Sequence, residues 1–116
     1  MKLPFNPWVL FAGLAGCASV ALGAYASHGV SDLLASAALE RASLYGLIHA
    51  VLLAVIAVWP GRVALLARLI FIVGIVLFSG TIAAKYLLGF SVALAPLGGT
   101  LLMLGWLLTA VAKPRA

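Results

Sequence analysis

Charge is what this chain has least of. Of its 116 residues 8% are charged, and only two of those are acidic, Asp32 and Glu40. An ordinary soluble domain carries about 25% charged residues. The chain has a single cysteine, Cys17, so an internal disulfide or a cysteine-built zinc site is excluded, and Cys17 reads as a small buried hydrophobe. Metal-ligand spacing, a phosphate loop and a nucleophile–base pair are all missing, as are low-complexity tracts and a clear internal repeat. No catalytic residue, metal or cofactor is therefore expected, and the chain reads as non-enzymatic.

What the chain has is hydrocarbon. The apolar fraction is 66% and the mean hydropathy +1.30. It lies in four runs, roughly 8–27, 42–59, 64–88 and 92–112, with the charges in the short gaps. About 20 apolar residues cross a bilayer core as a helix. The runs are continuous rather than alternating, which points to helices and not to a membrane barrel. The expected fold is an all-α membrane protein, a four-transmembrane-helix bundle with short loops forming one domain over residues 1–116. The first run follows Lys2 and ends near a small-x-small segment, Ala24-Tyr25-Ala26, yet it exceeds a signal-peptide core and precedes three more spans. It is read as a retained first helix.

With four spans, the N-terminus, middle loop and C-terminus share one side. That side carries Lys2, Arg62, Arg68, Lys113 and Arg115, and the other carries Arg41 and Lys85, offset by Asp32 and Glu40. The excess of Lys and Arg predicts cytoplasmic termini, with Arg68 snorkelling back to that surface. The net charge of +5 is accordingly ascribed to topology and anionic lipid, not to nucleic acid. Pro60-Gly61 predicts a tight turn, Gly89 a helix C-cap, and Ser31 or Asp32 an N-cap for a short interfacial helix or an extension of the second span.

Helices in lipid approach through small residues. Gly16, Gly23, Gly80, Gly98, Gly99 and Gly105 are the expected packing positions. The first span is the richest in small residues, with small-xxx-small pairs at Ala12/Gly16 and Ser19/Gly23, and is expected to be the most buried. The candidate polar site is an outer-half cluster of His28, His49, Tyr45, Glu40 and Arg41. His49 lies one turn below Tyr45, and an ionisable residue inside a span is a functional candidate. Both histidines are expected to face inward, near each other and near the first turn of the fourth helix. A haem on His28 and His49 has only two histidines and no attachment motif behind it. Lys85 reads as a snorkelling anchor, and Tyr25, Tyr45 and Tyr86 as an interfacial belt.

Several segments carry a family resemblance. Gly23-Ala24-Tyr25-Ala26-Ser27-His28-Gly29 resembles the Gly-Ala-Phe-Gly-Ala-His-Gly of the family known as domain of unknown function 423, which includes eukaryotic transmembrane protein 256. Tyr45–Leu53, Leu77-Phe78-Ser79-Gly80, Leu94–Thr100 and Leu104-Gly105-Trp106 resemble its later signatures, in order and across nearly the whole chain. Gly46 departs from the family's frequent Gln, and Lys85 from an apolar residue. The resemblance implies a small four-span membrane protein and carries no agreed activity. Small multidrug exporters need an acidic residue inside the first span, which is missing here, and dual-topology fluoride channels need a near-zero charge bias. The expectation is an accessory or assembly protein of the bacterial inner (cell) membrane. Its partners would be the lipid bilayer and a second copy or another membrane protein. The alternative is a small-solute or proton-linked transporter using the His cluster.

Overall fold

The computed structural model describes residues 5–91 and 93–113. Within them the chain forms α1 (Pro7–His28), α2 (Leu33–Ile56), α3 (Arg62–Ile75), a π-helical turn (Val76–Gly80), α4 (Thr81–Leu88) and α5 (Ala95–Val111). The α3, π and α4 segments run on as one rod, Arg62–Leu88. This rod, α1 and α2 are each long and apolar enough to span a membrane, while α5 is a shorter apolar helix of 17 residues. Lys2 and Arg115, two of the residues behind the topology expectation, lie outside the described residues.

Local chemistry sets the helix ends. The Asn6 side chain accepts the Trp8 and Val9 amides, and Pro7 occupies the first turn, where its missing N–H costs nothing. Asp32 accepts the Ala35 amide at 3.0 Å and starts α2 there. The expected short helix is thus the first part of a continuous α2, and α2 begins nine residues before the apolar run at 42. Gly61, at φ 96°, turns the chain into α3, and Gly89, at φ 79°, closes α4 in the left-handed region that other residues avoid.

Successive helices pack antiparallel. Ser36 and Ser43 of α2 donate to the Ala26 and Ser19 carbonyls of α1, at 2.8 and 2.6 Å. Ser79 of the π turn donates to the Ala42 carbonyl at 2.7 Å. Phe71 lies against Gly105, and Phe78 against Gly98, joining the rod to α5. Ile56, Ala67, Phe71, Ile75 and Leu102 form the buried core, with Phe11, Trp59, Phe78 and Leu108 around it. The core therefore sits among α2, α3 and α5.

The first helix is not the most buried. Only Ala12, Ser19 and Ala26 of α1 are buried, and 17% of its apolar window is covered against 39% for α2 and for the rod. Its small residues outnumber the contacts they make, because α1 packs chiefly on α2, meets the rest of the bundle through Trp8 and Phe11, and leaves most of its perimeter to lipid. Cys17 is exposed on that perimeter, not buried.

Candidate functional site

The polar residues expected to cluster are spread along α2 and beyond it. His28 ends α1 and is exposed, and Glu40 and Arg41 are exposed on the first half of α2. His49 is buried at 4% exposure. Ser36 is level with Ala26. At 1.5 Å per residue, His49 therefore lies about 20 Å further along the bundle axis, while His28 lies beyond Ala26 in the opposite direction. The two rings do not share a site. The misplacement follows from the start of α2: counted from Leu33, His49 belongs to the second half of the helix and Tyr45 to its middle. Tyr45 accordingly packs on Phe78, with ring centroids 5.0 Å apart, instead of joining an interfacial belt.

His49 has both ring nitrogens engaged. Nδ1 lies 2.6 Å from the Tyr45 carbonyl, four residues back on its own helix, which identifies Nδ1 as the protonated nitrogen. Nε2 then accepts from the Trp106 indole N–H of α5 at 3.0 Å. Phe71 and Tyr45 flank the imidazole, at centroid distances of 5.8 and 6.1 Å. A buried imidazole, an indole and a carbonyl thus satisfy one another where hydrocarbon supplies no partner. The partner lies about three turns into α5, not in its first turn. Trp106 was visible in the Gly-Trp segment, but nothing in linear spacing paired it with His49.

The π turn makes the second junction. A Cβ on Gly98 would collide with the Phe78 backbone nitrogen and come within 2.7 Å of the Leu77 carbonyl carbon. Here α5 touches the backbone of the rod, and only glycine permits it. The Thr81 hydroxyl donates to the Leu77 carbonyl, occupying one of the groups that the wider turn leaves loose. Among the other packing glycines, a Cβ on Gly105 would lie 2.6 Å from the Phe71 ring, and one on Gly23 would lie 2.6 Å from Ser43 Oγ. Gly46 faces Ser19 Oγ. Gly99 and Gly80 meet only ordinary contacts, at 3.6 and 3.8 Å, and Gly16 meets Leu47 alone, at 3.9 Å. Gly74, against Leu102 and the Gly98 carbonyl, is a packing position of the first rank.

Two further features complete the interior. An open groove of about 620 Å³ separates α1 from the rod, lined by Ala18, Leu22 and Tyr25 on one side and Ser79, Gly80 and Ala83 on the other. At the opposite end, Arg68 is 8% exposed, and its Nη1 donates to the Ile56 and Trp59 carbonyls, each at 2.9 Å. Its guanidinium carbon lies 4.9 Å from the centre of the Trp8 ring. Arg68 therefore turns inward to cap α2 instead of snorkelling to the surface. Among the described residues, no three His, Cys, Asp or Glu side chains come together.

These features define a small four-helix integral membrane protein whose polar side chains mostly tie one helix to another. The chain belongs to the family described as "Protein of unknown function (DUF423)", which matches residues 22–99. The segments behind the resemblance fall within that match, except Thr100 at the end of Leu94–Thr100 and the Leu104-Gly105-Trp106 segment beyond it. A UPF0382 membrane protein of Haemophilus influenzae is 34% identical over 113 residues, covering 88% of this chain and 89% of its own. Another UPF0382 membrane protein, from Staphylococcus epidermidis, is 29% identical over 113 residues, covering 90% and 93%. No solved structure matches the chain.

Proposed function

We propose that this chain is a non-enzymatic accessory or assembly protein of the bacterial inner membrane that acts by helix–helix association, offering α1 to another membrane protein. The observation that carries this reading is the disposition of α1. It is clasped to α2 through Ser36 and Ser43, while Leu14 and Ala24 are exposed and Ala18 and Ala21 are exposed along the open groove beside the rod. Small outward residues allow a neighbouring helix to come close, and in lipid close approach is what drives association. Cytoplasmic termini belong to the same proposal. Arg62, Arg68 and Lys113 share the end at which α1 begins and α5 finishes, and Lys2 and Arg115 adjoin those helix ends in the sequence.

A transport reading is weaker. It needs a wet path past His28 and His49, yet these lie at different depths, and His49 is walled in by Trp106, Phe71 and Tyr45. The test is photo-crosslinking in native membranes from Leu14 and Ala21 of α1, with Leu66 and Leu107 as lipid-facing controls. A discrete protein adduct from α1 positions alone is expected. Lipid adducts alone from all four positions would sink the proposal. A reporter fused after Lys113 is expected to give the cytoplasmic signal.

A further inference from the structure

We infer that Arg68 is the protein half of a binding site for the phosphate of an anionic phospholipid. This inference is independent of the accessory role. Arg68 as a residue is 8% exposed, and its buried Nε has no hydrogen-bond partner. Its Nη1 satisfies two carbonyls at the end of α2, and the Trp8 ring covers it. A helix C-terminus offers about half an elementary negative charge, and an aromatic face offers attraction but no charge. About half of the cation is left uncompensated, in surroundings where an unpaired charge is costly.

The chain cannot supply the missing anion from its side chains. It has two carboxylates, Asp32 and Glu40. Asp32 caps the N-terminus of α2, whereas Arg68 caps the C-terminus of the same helix. A helix of 24 residues puts the two about 36 Å apart, and Glu40 is about 24 Å from Ile56 by the same count. No carboxylate side chain of the protein supplies the counter-charge. Trp8 and Trp59 beside the guanidinium mark the level where aromatic side chains meet headgroups, and exposed Arg62 and Lys113 make that end positive. A lipid phosphate at this depth has the charge and the oxygen geometry that a guanidinium fork accepts.

The test uses the full chain purified in detergent and stripped of lipid. Native mass spectrometry would measure binding of phosphatidylglycerol against phosphatidylcholine, with inorganic phosphate as a separate arm. The parent is expected to prefer phosphatidylglycerol at least about fivefold. Arg68→Lys, which keeps the charge but loses the fork, is expected to remove most of that preference. The double variant Arg62→Gln/Lys113→Gln should retain most of it. Equal binding of the two lipids by the parent would overturn the inference. So would loss of the preference in the double variant with retention in Arg68→Lys, since the attraction would then be diffuse surface charge. Competition by millimolar inorganic phosphate would assign the site to a free anion and overturn the lipid. If Arg68→Lys does not fold, Trp8→Leu uncovers the same guanidinium, and an unchanged lipid preference there counts against the site.

Discussion

The two antiparallel pairings in this bundle, α1 on α2 and the Arg62–Leu88 rod on α5, use the same small residues for different purposes. Between α1 and α2 the contact is made by side chains. Hydroxyls of Ser36 and Ser43 reach α1 carbonyls, and Gly23 and Gly46 make room for the Ser43 and Ser19 hydroxyls. Between the rod and α5 the contact reaches the backbone itself, with Gly98 against Leu77 and Phe78, and Gly74 against the Gly98 carbonyl. A side chain can move aside, whereas a backbone in a helix cannot. A glycine count therefore says little about burial. The atom that each glycine faces says a great deal.

The largest effect that would break this comparison is at Gly98. Gly98→Ala puts a methyl into the backbone of the π turn, where no rotamer change relieves it. We expect a loss of about 3 kcal/mol or more, at the upper end of overpacking costs, with separation of α5 from the rod. Thermal unfolding in detergent measures it. A variant as stable as the parent would mean that the two pairings do not differ in kind.

A smaller effect is expected at the junction that ties α2 to α5. His49→Leu leaves the half-exposed Trp106 N–H facing hydrocarbon without an acceptor, at a cost of about 1–2 kcal/mol. Trp106→Phe removes that donor, so the double variant should lose less than the sum of the two single changes. Strict additivity in the unfolding free energies would show that the hydrogen bond contributes no coupling.

Much of this was legible in the sequence. Hydrocarbon runs of near-membrane length left little choice but helices, and Pro60-Gly61, Gly89 and Asp32 act as the linear signals imply. Four of the segments behind the family resemblance converge in space: Tyr45 packs on Phe78, Gly98 meets Phe78, and His49 bonds Trp106. What linear reading missed was depth. Polar Asp32, Glu40 and Arg41 suggested that α2 enters the membrane at 42, but a helix continues through exposed charged positions as readily as through apolar ones. Starting at Leu33 moves His49 away from His28 and Tyr45 to the middle of the helix. The inward turn of Arg68 was equally hidden, because its partners are backbone carbonyls and any sequence would offer them.

The smallest expected effect sharpens the comparison most, because residue type alone predicts the opposite. Gly16 sits in a small-xxx-small pair with Ala12, the pattern that suggests a tight crossing. Its added Cβ would meet only Leu47 Cδ1, at 3.9 Å, an ordinary van der Waals separation. Gly16→Ala should therefore cost nothing in packing. A helix-interior glycine is also less favourable than alanine, by up to about 1 kcal/mol in water. The expected outcome is an unfolding temperature equal to the parent's or slightly above it, under the conditions in which Gly98→Ala fails. Destabilisation of Gly16→Ala by as much as Gly98→Ala would mean that α1 presses on α2 as closely as α5 presses on the rod. The distinction between glycines facing side chains and glycines facing backbone would then have to be abandoned.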